Sequence, residues 1–319
     1  MVTLKSKLQK IVEEIRGYKG FTRKSHIWDL AKIFNVECKF DDAGWFSVGD
    51  QKIVASTDGI TEGLTKADPW LAGSLSVLVN VNDVVVKGAM PVGYMANVAS
   101  SSSITRRKIT QGMKYGVNKY QLKTMKFHTN PDSSYSSVDA SVIGVAKRVI
   151  PSSKATPGDK LVVSVDLDGS FGKKSWVRFF DSTTGKSKKD LRKRIEALIK
   201  ISNMKLAHAS RDVSAPGIVG SIAMLCESSA VGAKIKISDI PKPEEISVST
   251  WLTSYPACSF IVSTDKPDAC INIFKEHGFE ASDVGKVTKN KKIILFSSDE
   301  SEVFIDLAKE SVFGVKKRK

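Results

Sequence analysis

Cysteine and histidine are scarce, with four of each in 319 residues. The cysteines, Cys38, Cys226, Cys258 and Cys270, are widely scattered, and no Cys-x-x-Cys pair occurs. That spacing excludes a zinc knuckle or a dithiol redox motif and fits reduced thiols in a cytosolic protein. No uninterrupted apolar run reaches the roughly 18 residues of a membrane helix. The opening residues, Met1-Val2-Thr3-Leu4-Lys5, lead into a charged amphipathic segment and lack the apolar core of a secretion signal. A cytoplasmic location with no membrane segment is expected. There is no internal repeat, and the one low-complexity run is Ser100 to Ser103.

What is present is an ordinary globular composition, 41% hydrophobic and 26% charged, in a length that suits two domains. The net charge is +15. Its clusters, Arg106-Arg107-Lys108, Lys186 to Arg194 and Lys316 to Lys319, form no single stripe and carry no interleaved aromatics of the kind that stack bases. This argues against a dedicated nucleic-acid partner, which would show itself as affinity falling steeply with salt.

Leu4, Leu8, Ile11, Val12 and Ile15 share one helical face, and Gly17 and Gly20 end that helix. Ser25 can cap a second one lined by Ile27, Leu30, Ala31 and Phe34. An acidic loop, Asp41-Asp42-Ala43-Gly44, precedes a buried strand at Ile53 to Thr57, with Asp58-Gly59 just past its end. Asp68 then caps a helix over 69–87 whose first residue is Pro69, closed by Gly88 and Pro91. Its valines would also suit a strand, but the cap and the length favour a helix. Being apolar nearly all round, it should be buried. A strand at Val92 to Ala99, a helix at Thr105 to Tyr120, and strands at Leu122 to Phe127 and Ala140 to Val149 follow. The turn-rich Pro151 to Asp159 marks the domain boundary, giving domains of 1–150 and 151–319. The second half alternates again. A strand is expected at Lys160 to Val165, helices over 187–208 and 216–228, further strands including Lys292 to Phe296, and a last helix containing Val303, Phe304, Leu307 and Ala308. The fold class is α/β (α+β).

Asn82 and Asp83 interrupt the apolar helix, and a buried carboxylate needs a cation, a donor network or water. Asp58 ends a buried strand on a glycine turn, and Asp41 and Asp42 form a third acidic spot. Loop carboxylates of this kind can hold Mg2+, which takes a few carboxylates and completes its shell with water and phosphate oxygens. A structural salt bridge explains any one of them equally well.

Ser56-Thr57-Asp58-Gly59, then Asn80-Val81-Asn82-Asp83, then Gly88-Ala89-Met90-Pro91 resembles, in this order and spacing, the AIR synthase superfamily. That superfamily includes AIR synthase, selenophosphate synthetase, thiamine-monophosphate kinase and a hydrogenase-maturation dehydratase. Arg211 to Gly220, Val231-Gly232-Ala233 and Ile240-Pro241 agree in the second half. Ala67-Asp68-Pro69-Trp70-Leu71-Ala72-Gly73, His128-Thr129-Asn130-Pro131-Asp132 with Tyr135, and Trp251 to Pro256 are most similar to the archaeal AIR synthase-related group called methanogenesis marker protein 2. The resemblance covers about Gly20 to Val287. It implies an N-terminal domain that pairs its sheet with that of a second subunit in a homodimer and binds ATP, with Mg2+ held by Asp41, Asp42, Asp58 and Asp83. Asn82 and Gly59 would join the nucleotide site. His128 is a candidate acid–base residue or a structural loop histidine. Lys24, beside Arg23, is a candidate phosphate contact or a solvated lysine.

Three departures bear on function. Phe40 stands where many relatives have glycine before the aspartate pair. Lys126-Phe127 replaces a glycine pair. Asp168-Gly169-Ser170-Phe171-Gly172 differs from the segment of AIR synthase proper, which points away from the purine intermediate as substrate. Thr184-Gly185-Lys186-Ser187 mimics the end of a P-loop, but position 180 is Phe180 where that motif needs glycine; a turn and helix cap is expected. Asp212 and Ser214 can cap the 216–228 helix or contact substrate. Two readings stand: an ATP-dependent, Mg-requiring enzyme that phosphorylates or activates a small molecule, or a non-catalytic ATP-binding partner protein in a maturation pathway.

Overall fold

The computed structural model describes residues 6–34, 40–172 and 177–315; Cys38 and the basic tail at 316–319 lie outside them. In chain order, helices α1 (Lys7–Gly17), α2 (Lys19–Thr22) and α3 (Ile27–Phe34) precede strands β1 (Gly44–Val48) and β2 (Gln51–Ile60). Helices α4 (Glu62–Ala67) and α5 (Pro69–Val86), strand β3 (Met90–Ala99), helix α6 (Ser103–Tyr120), and strands β4 (Lys123–Asn130) and β5 (Ser137–Ala146) follow. Then come β6 (Lys160–Val165), β7 (Ser170–Phe171), β8 (Arg178–Asp181), α7 (Lys188–Asn203), β9 (Ala209–Asp212), α8 (Gly217–Ser228) and β10 (Gly232–Lys236). The chain finishes with α9 (Val248–Leu252), β11 (Ser254–Pro256), β12 (Ser259–Thr264), α10 (Pro267–Glu276), β13 (Glu280–Thr288), β14 (Lys292–Phe296) and β15 (Ser301–Asp306).

The chain forms two compact units. One comprises Asp42–Val149 with Lys186–Met204, and the other the remaining described residues. The first unit is a five-stranded sheet in the order β1-β2-β5-β3-β4, antiparallel except for the parallel β3–β4 pair. Helix α5 starts as its sequence dictates. Asp68 accepts from the Leu71 amide at 3.0 Å, and Pro69 occupies the first turn. With apolar residues on every side it is buried against the sheet. Among the described residues it is the one helix long and apolar enough to cross a bilayer, yet 78% of it is buried inside protein. Helix α6 packs along it through glycines at the crossing. Helix α7 is capped by Ser187 in a reciprocal box with Asp190, as expected of the false P-loop. It joins this unit through Ser202, whose hydroxyl donates to the Arg148 carbonyl at 2.9 Å.

Tyr94 of β3 is fully buried and its hydroxyl meets that of Ser76 on α5 at 2.8 Å. Burial pushes its pKa up to about 12, with the Ser76 hydrogen bond opposing. The unfolded chain ionises this phenol from about pH 10 while the folded chain holds it neutral. Its contribution is therefore complete below pH 10 and is lost as pH rises towards 12, by about 2–3 kcal/mol. Urea unfolding at pH 9 and pH 11.5 should show this loss in the wild type, and a smaller one in Tyr94→Phe.

The second unit holds a seven-stranded sheet, β15-β14-β10-β13-β6-β12-β9, in which only β10–β14 is parallel, and a three-stranded sheet, β11-β8-β7. Its core runs from Val163 and Ile261 to Trp251 and Phe304, and takes in Leu8, Ile11, Val12 and Ile15 of α1. Residues 6–34 therefore lie with the C-terminal half, although they precede the first sheet in sequence. The segment with Val303 and Phe304 is strand β15 and not a helix. It pairs antiparallel with β14 across a bulge at Ile293/Ile294. Helix α7 stops at Asn203 because Lys205 turns back with φ +57°. Helix α8 starts at Gly217 (φ +76°), where an added Cβ would lie 2.3 Å from the Leu252 carbonyl oxygen. Neither Asp212 nor Ser214 caps it: the residue before it is Pro216, with no side-chain cap, and Ser214 instead accepts the Gly217 amide through its carbonyl.

Candidate functional site

Ser76, Asn80, Asp83 and Lys87 follow one another along α5 at steps of four, three and four residues, so they share one side of the helix. All four are buried, a polar stripe in an otherwise apolar element. The stripe faces the sheet. Ser76 meets Tyr94, as above, and Asn80 donates Nδ2 to the Ser76 carbonyl at 2.9 Å. The Asn80 Oδ1 has no hydrogen-bond partner among the described residues. The Ser56 hydroxyl of β2 donates to Asp83 Oδ2 at 2.6 Å. The ammonium of Lys87, the residue just past the helix end, donates to Asp42 Oδ2 at 3.0 Å, and its side chain is 0% exposed.

Strand register fixes the rest. Ser56, Val142 and Tyr94 lie side by side on β2, β5 and β3, and the bonds of Ser56 and Tyr94 to α5 make this the helix-covered face. Two residues along β2, Asp58 is opposite Ala140 and on the same face. Carboxylate oxygens of Asp42 and Asp83 lie within 4.8 Å of one another. A loop aspartate and a helix aspartate thus meet, while Asp58, exposed on β2, shares the sheet face of Ser56 two residues further along. The donors are all oxygens, with no imidazole or thiolate among them, a set that suits a hard cation such as Mg2+. Asn82 is buried on α5, one residue off the stripe.

Other expected site residues are elsewhere. Gly59, Asp139, Asn97 and His128 form one cross-strand row on the opposite face of the sheet. Strands β5 and β3 separate β2 from β4, so His128 is about 14 Å from the strand end that carries Asp58. His128 is exposed and its Nε2 is 3.2 Å from Asn130 Oδ1; its place does not bring it to the aspartates. At Gly59 an added Cβ would lie 2.3 Å from the exposed Asp139 Oδ1, a side-chain tip that can swing aside. Asp41 belongs to the other unit, where the amide and hydroxyl of Ser152 bind its two oxygens at 2.8 and 2.7 Å. Lys24 also belongs there, in a 3-10 turn at Arg23–His26. Phe40 has φ +45°, a backbone region that favours glycine. It is held by stacking on Phe313, centroids 4.3 Å apart, and by Arg211 donating to its carbonyl at 2.8 Å.

Two residues of the site stayed hidden in the sequence reading, Ser56 and Lys87. The signal for Lys87 was there: a lysine four residues after a buried aspartate, on an apolar helix, requires a buried anion nearby.

A two-domain α/β chain with a Thr-Asp-Gly strand end and an Asn-Asp pair on a buried helix defines the AIR synthase-like class. Residues 40–146 match the family model for the AIR synthase related protein N-terminal domain, and residues 156–297 that for the C-terminal domain. An uncharacterized protein of Methanocaldococcus jannaschii is 35% identical over 96% of this chain and 99% of its own length. The chain belongs to the AIR synthase-related family. A thiamine-monophosphate kinase of Pyrococcus abyssi is 28% identical over 40% of this chain and 43% of its own. Among solved structures, Thermotoga maritima PurL complexed with ADP superposes with a TM-score of 0.73 at 16% identity, covering 88% of this chain and 47% of that one. The chain thus spans about half the length of that PurL. AaThiL complexed with AMPPCP and TMP gives 0.68 at 17% identity, covering 87% and 94%. HypE, in a HypE–HypF complex, gives 0.67 at 19%, covering 88% and 98%. At these identities the structures establish the shared fold.

Proposed function

We propose that the chain is an ATP-dependent, Mg-requiring enzyme that phosphorylates or activates a small molecule. The observation that carries this reading is the placement of Asp83. It is a carboxylate buried in an apolar helix, oriented by Ser56 and set within 4.8 Å of Asp42. Burying like charges so close is unfavourable unless they are offset; Lys87 offsets Asp42, and a divalent cation would offset Asp83. Proteins of the same fold are seen with ADP, or with AMPPCP and TMP. In this reading Asp83 and Asp58 hold Mg2+, which neutralises phosphate charge when bound. Asn82 would contact the phosphates, and Ser56 fixes the Asp83 rotamer. Phosphoryl transfer depends on positioning and charge neutralisation more than on a protein base, which suits a site without histidine. His128, across the sheet, has no part in the transfer.

The nucleotide test is thermal stabilisation: excess Mg-ATP should raise Tm by several degrees, since ligand at about 100 times Kd adds about 2.7 kcal/mol. No shift at millimolar ATP would remove the reading. The second reading, a non-catalytic ATP-binding partner protein, draws on the HypE–HypF assembly. Sustained phosphate release by purified protein with candidate small molecules separates an enzyme from such a partner.

We also place a homodimer contact on the sheet of this unit. Its outer strand β1 exposes Trp45 (38%), Phe46 (61%) and Val48 (56%), a large apolar group for an isolated edge. Light scattering should give twice the chain mass of 34.8 kDa, and Phe46→Lys should shift it to one chain.

A further inference from the structure

We infer that Lys87 is a resident counter-charge: its ammonium takes Asp42 out of the metal-binding set and sets how strongly the site needs a divalent cation. This rests on the Mg-ATP reading above and deepens it. Lys87 is one helical turn beyond Asp83, so the two side chains leave α5 in the same direction. Its side chain is 0% exposed and that of Asp42 4% exposed, and the two are 3.0 Å apart. Neither can turn to water, because little of either reaches the surface. A buried ammonium that loses its anion is strongly destabilised. A metal ion drawing on Asp42 Oδ2 would have to share it with that ammonium or displace it, and one on the other oxygen would meet the ammonium's repulsion.

The consequence is a site whose positive charge is partly built into the chain. Asp42 serves as the anchor of Lys87, while Asp83, steered by Ser56, faces the cation. The protein folds without metal, and binds metal more weakly than the same site would with Asp42 released. Removing the ammonium while keeping its volume should therefore create a stronger metal site at some loss of stability without metal.

The test uses Mn2+ as the probe, followed by its electron paramagnetic resonance signal without nucleotide, together with melting temperatures. Lys87→Met is expected to bind Mn2+ at least tenfold more tightly than wild type. Its metal-free Tm should be lower, and saturating Mn2+ should restore it. Asp42→Asn, which keeps an oxygen for Lys87, should bind Mn2+ within about threefold of wild type. Equal or weaker Mn2+ binding by folded Lys87→Met overturns the inference, as does a loss of thirtyfold or more in Asp42→Asn, which would make Asp42 a metal ligand. If Lys87→Met does not fold, the Asp42→Asn comparison decides alone. Wild type that binds Mn2+ with Lys87→Met unchanged defeats this inference only. If neither wild type nor Lys87→Met binds Mn2+, the metal site itself falls with it.

Discussion

Asp83→Asn is expected to weaken Mg-ATP binding about 100-fold, or about 2.7 kcal/mol, while leaving the fold intact. The substitution keeps shape and an oxygen that can accept from Ser56 at the 2.6 Å position. It removes the charge that a cation would meet. Because Asp83 is 9% exposed inside an apolar helix, neutralising it relieves repulsion with Asp42, so Tm should change by no more than a few degrees. Loss of binding alongside a retained melting transition places the metal contact at Asp83. Unchanged affinity in Asp83→Asn would move the site away from α5 altogether.

The second large effect concerns how that helix is held. Helices α5 and α6 approach backbone to backbone. A Cβ on Gly112 would lie 1.9 Å from the Trp70 carbonyl oxygen, one on Gly73 2.0 Å from the Ile109 carbonyl oxygen, and one on Gly116 2.8 Å from Val77. Backbone atoms cannot move aside as a flexible side chain can. Gly112→Val must therefore push the helices apart, and with them the stripe that positions Asp83 and Lys87. A cost of about 3 kcal/mol or more is expected, a fall in Tm of about 10 °C. Gly63→Ala in α4 is the control: nothing lies within 4 Å of its added Cβ, and stability should hold or rise slightly. Calorimetric melting of both variants checks the pair, and a Gly112→Val protein as stable as wild type would mean the crossing is looser than described.

Much of this was legible from residues. Asp68 and Pro69 announced the start of α5, and its all-round apolarity announced burial; both hold. Beta strands with clear limits, such as β6, were visible because their apolar runs are short and bounded by turn residues. What was not legible was allegiance. The apolar face of α1 is plain in sequence, but nothing local says which core receives it, and it joins that of the C-terminal half. Val303, Phe304 and Leu307 have helical spacing, yet the edge of β14 was available for pairing, and tertiary pairing overrides so short a pattern. For the site, the sequence offered eight candidates, but facing is decided by sheet register. A single residue of offset puts Asp58 on the helix side of the sheet and Gly59 on the other side with His128. The ion pair that ties Lys87 to Asp42 joins residues 45 positions apart, a distance no local pattern spans.

The central claim is that this chain holds ATP through a divalent cation at its buried aspartates. Calorimetric titration of ATP into the wild-type protein, with Mg2+ and then with EDTA, tests it most directly. Saturable binding of one nucleotide per chain is expected with Mg2+, with affinity at least tenfold weaker when the metal is withdrawn. Absence of binding heat in folded protein, or binding indifferent to Mg2+, would contradict it.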